Sequence, residues 1–239
     1  MPRVRVTGIP EWVDRDRLLG AGDWRGDETE LTREKAADLA ARLRGVELGG
    51  QAIETDIRPR LKRALVRTAR TNDARRRRDT TPGFTRAGAR IDPEGRISLT
   101  PETLALHLGE QAAGRTVFDA MCGCGGNAIG FARAGSRVIA VDKNRARLEM
   151  ARHNAALYGV ANRIDFRHSD ARKIEVESDL LFLDPPWGEM DLLEGFSQRP
   201  CWVKAPPAMA VPAGFSAEAW FGEAPGDYRR VKFLLFRSA

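Results

Sequence analysis

Short apolar runs alternate with amphipathic segments throughout the C-terminal part of the chain. The apolar runs predict strands near 115–119, 137–141, 163–167, 179–183, 200–204, 217–221 and 228–236. The segments between them predict helices near 101–112, 125–134 and 144–158 and a short helix after Gly188. Thr100 is the expected N-cap of the first helix, with Pro101 as its first residue. This alternation indicates an α/β fold with a mostly parallel, seven-stranded sheet, in which the last two strands form an antiparallel hairpin.

The N-terminal part of the chain has weaker periodicity. Nothing is predicted before Thr32, which is a good N-cap for a helix that extends to about Arg44. A second helix is predicted from near Ile57 to Arg78, with Pro59 in its first turn, where proline is tolerated. We therefore expect a small helical region in this part of the chain.

Positive charge is concentrated in one segment. Residues 1–90 hold 21 Lys and Arg against 14 Asp and Glu, whereas residues 91–239 hold 18 against 19. Within 58–90 the count is 12 against 2, and this segment includes the run Arg75, Arg76, Arg77 and Arg78. Such an excess attracts a polyanion, although charge runs are usually only a solvated helix face. We predict that residues 1–90 form a basic domain that contacts RNA through these arginines and that residues 91–239 form the catalytic domain.

The overall composition is that of a globular protein. With 42% hydrophobic and 30% charged residues, the chain has no apolar run of membrane-spanning length and no signal-peptide core at its N-terminus, so no membrane partner is expected. Three cysteines without a paired framework indicate a reducing compartment, and we predict a cytoplasmic protein. Cys122 and Cys124 are too close in sequence for a zinc-binding pair, so no metal is expected. The oligomeric state stays open.

A glycine turn follows the apolar run that ends in Asp119. A strand that enters such a turn leaves backbone N–H groups and a carboxylate facing a nucleoside-sized ligand. The spacing Gly123-x-Gly125-x-x-Ala128 also fits the dinucleotide fingerprint. The turn alone therefore does not identify the ligand.

Three further acids, Asp142, Asp170 and Asp184, follow the next apolar runs. Acids at four consecutive strand ends indicate one ligand that crosses the carboxyl edge of a parallel sheet. For S-adenosylmethionine, Asp119 and the turn amides would bind the amino-acid end, Asp142 the ribose hydroxyls and Asp170 the adenine amine. Each acid has an alternative role as an N-cap or strand-end acid. The predicted cofactor-binding residues are Thr100, Pro101, Asp119, Cys122, Gly123, Gly125, Asn127, Asp142, Lys143 and Asp170.

The most specific motif is Asp184-Pro185-Pro186-Trp187. The prolines fix the backbone, so that the Asp184 carboxylate and the Pro185 carbonyl can accept hydrogen bonds from one NH2 group. Two such acceptors aim an amine at a methyl sulfonium and stabilise the developing positive charge. Trp187 offers a flat face for an unpaired base, its alternative being a core tryptophan. We predict a methyltransferase for an exocyclic nucleobase amine, with Asp184, Pro185 and Trp187 catalytic and Trp187 also binding substrate.

The order of the motifs resembles one known family. The resemblance covers about residues 84–190 and rests on Ser98-x-Thr100-Pro101-Glu102, Asp119-Ala-x-Cys122-Gly-x-Gly125-Gly126-Asn127, Ala151-Arg-x-Asn154-x-x-x-Tyr158-Gly159 and Pro185-Pro186-Trp187-Gly188. These motifs are similar to those of trimethylguanosine synthases, which are RNA cap guanine-N2 methyltransferases. The resemblance implies a Rossmann-like class I methyltransferase with the cofactor over the glycine turn and a guanine stacked on Trp187.

This sequence departs from that family at Asp184, where the cap enzymes usually carry serine. An acid there resembles rRNA guanine-N2 and nucleic-acid adenine-N6 methyltransferases. The Ala- and Arg-rich composition resembles bacterial proteins, for which a methylated cap would be absent. We therefore expect methylation of guanine N2 in an RNA other than a cap.

Three alternatives stay open from the sequence. The first is an adenine-N6 methyltransferase on RNA or DNA, because Asp-Pro-Pro-aromatic serves either amine. The second is a non-catalytic RNA-binding protein with a vestigial fold, which the intact Asp119, Asp142 and Asp184 argue against. The third is a nicotinamide-dependent dehydrogenase, which would use an acid at position 142 but would have no role for the Asp-Pro-Pro-Trp motif.

Overall fold

The computed structural model describes residues 1–187, 196 and 200–238. Its contacts divide the chain into two compact units. Unit 1 comprises residues 1–80, 206–213 and 217–234. Unit 2 comprises residues 81–205, 214–216 and 235–239. The predicted domain boundary at residue 90 stays a prediction.

Unit 1 contains a small antiparallel sheet and three helices. Its elements are β1 (Arg3–Thr7), α1 (Arg15–Leu19), β2 (Glu28–Glu30), α2 (Arg33–Leu43), β3 (Glu47–Leu48), β4 (Gln51–Ala52), β5 (Glu54–Arg58) and α3 (Arg63–Arg76). Strand β1 lies between β2 and β5, and β3 pairs with β4. Alternation buries Val4 and Val6 of β1 in one apolar cluster with Leu39 and Leu43 of α2.

The predicted helix that ends near Arg44 is confirmed, because α2 follows Thr32, whose hydroxyl accepts a hydrogen bond from the Lys35 N–H at 3.3 Å. The predicted start of the next helix is wrong. Ile57 pairs with Val4 in the sheet, and α3 begins only after Lys62. A residue that precedes proline is biased toward extended backbone, so Pro59 ends the strand instead of opening a helix.

Unit 2 contains most of a large sheet with helices between its strands. Its elements are α4 (Gly95–Ser98), α5 (Glu102–Gln111), β6 (Thr116–Asp119), α6 (Gly126–Arg133), β7 (Arg137–Asp142), α7 (Arg145–Leu157), β8 (Ile164–His168), β9 (Leu180–Leu183) and β10 (Cys201–Ala205). Strands β11 (Phe215–Phe221) and β12 (Val231–Ser238) include residues assigned to both units. The predicted short helix after Gly188 lies outside the described residues.

The large sheet has seven strands in the order β11-β12-β10-β9-β6-β7-β8. Strands β8, β7, β6, β9 and β10 are parallel to their neighbours within this series, and the last strand is antiparallel. The predicted Rossmann-like fold is thus confirmed. All four residues of β9 are buried, and Phe182 packs edge-on against Phe131 of α6 with ring centroids 5.1 Å apart.

The strand order places the switch point of the sheet between β6 and β9. From β6 the chain proceeds to β7 and β8 on one side, and later to β9 and β10 on the other. Ligands of open α/β sheets bind in the crevice beyond the carboxyl ends of the strands at such a point. Asp119 ends β6 and Asp184 follows β9, so both predicted acids lie at this crevice. Among the described helices, none is long and apolar enough to cross a bilayer.

Candidate active site

The glycine turn connects β6 to α6 and is fastened to the neighbouring strand. The Cys122 N–H donates to the Val141 carbonyl of β7 at 2.9 Å, and the Gly125 N–H donates to the Cys122 carbonyl at 2.8 Å. Gly125 has φ = +90°, and a Cβ there would lie 3.0 Å from the Cβ of Ala151 on α7. A side chain at this position would thus meet both backbone strain and a packed neighbour.

Asp142 ends β7 and braces the same turn. Its Oδ2 accepts a hydrogen bond from the Gly123 N–H at 2.8 Å, and its Oδ1 accepts one from the Asn144 N–H at 2.7 Å. A carboxylate oxygen has two lone pairs, so each oxygen keeps one lone pair for a ligand hydroxyl. The carboxylate is therefore oriented for the predicted contact with two vicinal hydroxyls.

Asp119 is completely buried, and neither of its carboxylate oxygens makes a well-formed hydrogen bond with a described residue. Burial raises the pKa of Asp119 well above its usual range, and the carboxylates of Asp184 and Asp142 raise it further. The Met121 N–H and the Lys204 ammonium offset this rise only in part. An uncompensated carboxyl group at a sheet crevice is suited to a cationic ligand group.

Burial also raises the pKa of the Cys122 thiol, and Asp119 and Asp142 add to the rise. The thiol is therefore held in its protonated, unreactive form. Cys122 therefore contributes to the candidate site through its backbone groups, which form the hydrogen bonds of the glycine turn.

The predicted capping role of Thr100 is wrong. Pro101 precedes α5 as the cap residue, and the buried hydroxyl of Thr100 has no hydrogen-bond partner among the described residues. The Oδ1 of Asn127, in the first turn of α6, also lacks a described partner. Both residues line a cavity, so their free polar atoms are available to a bound molecule.

Asp170 follows β8 and caps the short turn Ala171–Lys173. Its Oδ1 accepts hydrogen bonds from the backbone and side chain of Arg172, and its Oδ2 accepts a second bond from the guanidinium at 2.7 Å. These bonds hold the pKa of Asp170 well below its usual range. Asp170 and Lys143 both line the cavity, so the expected adenine contact stays a prediction.

Asp184 lies directly after β9 and contacts two donors from other elements. Its Oδ2 accepts hydrogen bonds from the Asn127 amide of α6 and from the Lys204 ammonium of β10, both at 2.9 Å. No described residue donates to its Oδ1. One oxygen is therefore fixed by the protein, while the other is available to a substrate.

Lys204 is a site residue that the sequence analysis missed. It is only 3% exposed, and its ammonium also donates to the Ser98 carbonyl at 2.9 Å. The residue-by-residue pairing of β10 with β9 brings it beside Asp184. A lysine in the apolar run Cys201-Trp-Val-Lys-Ala is unusual, and that was the available signal.

Trp187 is 51% exposed, as a stacking platform requires. The Lys204 ammonium lies 5.9 Å from the centroid of its ring, within range of a cation–π contact. Pro185, between Asp184 and Trp187 in the motif, is buried. The motif thus combines a fixed corner with an open aromatic face.

A segment that precedes α4 is fastened to α7 beside the glycine turn. Arg147 donates to Oδ2 of Asp92 at 2.7 Å and also pairs with Glu94. Asn154 accepts from the Arg90 N–H at 2.7 Å and donates to the carbonyls of Arg90 and Cys124 at 2.8 and 3.0 Å. These contacts position the segment and the turn relative to the same helix.

The site surrounds a cavity of about 310 Å³ within unit 2. Residues of the glycine turn line it together with Thr100, Asp142, Asp170, Asp184 and Pro185. This volume is within the range of small-molecule sites. Among the described residues, no cluster of His, Cys, Asp and Glu side chains is arranged to bind a metal ion.

The predicted RNA-contacting arginines lie at the end of α3 and just beyond it in unit 1. All four are exposed. Arg76 pairs with Asp38 at 3.2 Å and Arg77 with Asp73 at 3.1 Å, so two of the four charges have acidic partners. The side chains of Arg75 and Arg78 have none among the described residues.

Sequence comparison connects this site with one family. The family model described as RNA cap guanine-N2 methyltransferase matches residues 114–195. Trimethylguanosine synthase of Schizosaccharomyces pombe is 31% identical over 113 residues, which are 42% of this chain and 47% of that protein. Its Saccharomyces cerevisiae namesake is 31% identical over 109 residues, which are 41% of this chain and 35% of that protein. The predicted resemblance is confirmed, and the chain spans less than half the length of these relatives.

Comparison with solved structures finds similarity to the RNA methyltransferase from Salinibacter ruber in complex with S-adenosyl-L-homocysteine. It is 19% identical, with a TM-score of 0.45, and the match covers 58% of this chain and 91% of that one.

Proposed function

We propose that this chain is an S-adenosylmethionine-dependent methyltransferase that modifies an exocyclic amine of a nucleobase in RNA, with guanine N2 as the leading target. The observation that carries the proposal is the arrangement of Asp184, which has one oxygen fixed by Asn127 and Lys204 and the other available at the crevice. The matched family model and the two trimethylguanosine synthases support the choice of RNA and guanine.

The residues of the cavity fit the proposed cofactor. Bound S-adenosylmethionine supplies a methyl group activated by a sulfonium sulfur. Asp119 would neutralise the ammonium of its amino-acid end, which resolves the unfavourable burial of that carboxylate. Asp142 would accept from the ribose hydroxyls while the turn amides keep its carboxylate oriented. The unpaired polar atoms of Thr100 and Asn127 would receive further contacts.

The target amine is oriented by the Asp-Pro-Pro corner. Oδ1 of Asp184 and the carbonyl of Pro185 would each accept one amine hydrogen, which aims the nitrogen lone pair at the methyl carbon. During methyl transfer positive charge would develop on the nitrogen, and the two oxygens would stabilise it. The nitrogen then releases one proton, for which we assign Oδ1 of Asp184 as the acceptor. Trp187 would hold the base by stacking.

The main alternative target is adenine N6. It is favoured by Asp184 itself, because the resemblance predicts serine there for the cap enzymes. Methylation of defined RNAs, followed by digestion to nucleosides, distinguishes N2-methylguanosine from N6-methyladenosine. A cytoplasmic location also stays a proposal.

The proposal predicts that Asp184→Ala abolishes methyl transfer while the dissociation constant of S-adenosylmethionine changes by only a few-fold. The acceptor for the amine is lost, whereas the proposed cofactor contacts come from Asp119 and Asp142. Methyl incorporation into total RNA and calorimetric titration of the cofactor measure the two quantities. An Asp184→Ala enzyme with full activity would refute the role of the carboxylate.

A matched pair of lysine variants tests whether Lys204 supports the carboxylate of Asp184. Lys204→Met should lower kcat by about tenfold or more, because Asp184 loses a charged hydrogen bond. Lys173→Met removes the same charge from an exposed position of unit 2 and should leave kcat within about twofold. Equal kcat values for the two variants would remove Lys204 from the mechanism.

A further inference from the structure

Unit 1 contains a cavity of about 530 Å³ that is separate from the sequence motifs of unit 2 and includes Arg76 of the basic run in its lining. Five basic side chains line it, namely Lys35, Arg42, Arg76, Arg229 and Arg230. Asp38 and Asp73 are its acidic lining residues. The lining therefore carries an excess of positive charge.

Both acids are already engaged. Asp38 pairs with Arg76, and Asp73 pairs with Arg77 and with Arg230. No carboxylate among the described residues pairs with Lys35, Arg42 or Arg229. Three cationic groups at one cavity thus lack a neutralising partner in the described part of the chain.

Arg42 is fixed in place beneath this charge. Its guanidinium donates to the carbonyls of Leu18 and Leu19 at the end of α1. Burial lowers the pKa of Arg42 to about 10, and the nearby charges of Arg229 and Arg230 contribute to the shift. Cations crowded in this way repel one another, and an anion bound between them would relieve the repulsion.

Arg229 is seated against the backbone of Gly20. Gly20 has φ = +90°, and a Cβ there would lie 1.9 Å from Nη1 of Arg229. The absence of a side chain at position 20 is what admits the guanidinium. The group has neither a hydrogen bond nor an ion pair with a described residue, so its donors are directed to no protein acceptor that the structure shows.

An exposed aromatic ring lies at the same cavity. Tyr228 is 50% exposed and lines the cavity beside Arg229. The guanidinium of Arg17 lies 4.8 Å from the centroid of its ring. A planar aromatic surface next to unpaired arginines is the combination that binds a nucleotide, with its phosphate on the cations and its base on the ring.

We propose that this cavity of unit 1 is a phosphate-binding site that holds a phosphate group of the RNA substrate. Arginine guanidinium groups match phosphate oxygens in bidentate geometry, and the cavity offers two that no described carboxylate neutralises. The phosphate site stands on the contacts of unit 1 alone. Its assignment to RNA rests on the proposed function.

The first experiment titrates the full-length chain with inorganic pyrophosphate by calorimetry at constant ionic strength. Wild type should bind pyrophosphate. Arg229→Gln should raise the dissociation constant of pyrophosphate by about tenfold, because a charged hydrogen bond is lost. Arg229→Lys should retain part of the affinity. Arg5→Gln removes the same charge from an exposed strand position of unit 1 and should stay within about twofold of wild type.

Absence of pyrophosphate binding by wild type, or equal binding by Arg229→Gln, would overturn the phosphate site. Neither result depends on methyl transfer, which Asp184→Ala tests separately.

The second experiment identifies the source of the phosphate with a fluorescent single-stranded RNA. Pyrophosphate should displace the RNA more effectively than sodium chloride of equal ionic strength, and Tyr228→Ala should weaken RNA binding but not pyrophosphate binding. If pyrophosphate fails to displace the RNA, the cavity does not hold a phosphate group of RNA and this part of the proposal is refuted.

Discussion

A carboxyl group as deeply buried as that of Asp119 is stable only when it is protonated or when a cation neutralises it. Its raised pKa means that the folded, ligand-free protein binds this proton more tightly than the unfolded chain does. The stability linked to the proton is fully present below the ordinary pKa of 3.8 and is lost as the pH rises toward the folded-state value.

Asp119→Asn should therefore stabilise the ligand-free protein at neutral pH and weaken S-adenosylmethionine binding at least tenfold. Asparagine mimics the protonated acid, so the difference in unfolding free energy between variant and wild type should grow as the pH rises above about 4. Urea denaturation at several pH values measures this difference.

Asp165→Asn, at an exposed position of β8, is the matched control. It should change the free energy of unfolding by less than about 0.5 kcal/mol. The burial argument would be contradicted if the difference in unfolding free energy between Asp119→Asn and wild type stayed constant from about pH 4 to about pH 8.

Individual residues can be placed from the sequence where a motif limits their surroundings. Asp184 lies at the cavity and Trp187 is exposed, as the Pro-Pro corner predicts, and their roles stay predictions. Lys204 could not be placed, since its contact with Asp184 depends on β10 lying beside β9, and that pairing is a property of the sheet. Thr100 was misassigned because a threonine before a proline fits an N-cap, and the sequence does not show that its hydroxyl lacks a described partner.

At the scale of elements, α7 organises the approach to the cavity. Asn154, Tyr158 and Arg147 project from one helix and contact the segment that precedes α5. Tyr158 donates to Glu102, which also accepts from the Thr85 backbone at 2.7 Å. The motif Asn154-x-x-x-Tyr158 therefore acts as a structural support for the glycine turn and for the segment that precedes α5.

Asn154→Ala should lower the free energy of unfolding by about 2–4 kcal/mol, because it leaves the buried carbonyl of Cys124 and two partly buried backbone groups of Arg90 without their partner. It should also weaken cofactor binding, since the Cys124 carbonyl belongs to the glycine turn. Urea denaturation measures the first effect. Asn162→Ala, at an exposed position after α7, should change stability by less than about 0.5 kcal/mol, and equal losses for both variants would contradict the support role.

Most elements of the large sheet were predicted to within about two residues, because its central strands, such as β9 and β10, are short apolar runs that are buried on both faces. The last strand begins at Val231, later than its predicted start at residue 228. The small sheet of unit 1 was missed. Its strand β5 alternates between half-buried and exposed residues, and its partner β1 is about 50 residues away in the chain. A local pattern cannot show such a pairing, so Ile57 was assigned to a helix.

At the scale of the whole molecule, the basic segment 58–90 is the predicted source of attraction to a polyanion. Only part of its charge is free, because Arg76 and Arg77 have acidic partners. The sequence count therefore overstates the number of phosphate contacts that the four consecutive arginines can make.

Replacing Arg75 and Arg78 together by serine should flatten the salt dependence of single-stranded RNA binding by about 1.4 log units, at about 0.7 per lost phosphate contact. Fluorescence anisotropy over a series of salt concentrations measures the slope. Arg5→Ser combined with Arg44→Ser removes two exposed charges outside the segment and should leave the slope unchanged. An unaltered slope in the Arg75 and Arg78 variant would indicate that these two residues are only solvated and do not contact RNA phosphates.

The ion pair between Lys204 and Asp184 has a consequence for the inheritance of this site. A serine at position 184 would remove the carboxylate that pairs with the buried Lys204 ammonium, and losing one partner of a buried ion pair is destabilising. An ancestor could thus exchange acid for hydroxyl only if position 204 lost its charge as well. The two positions should covary among homologues, and a lysine in the fifth parallel strand should mark the lineages that carry the acid.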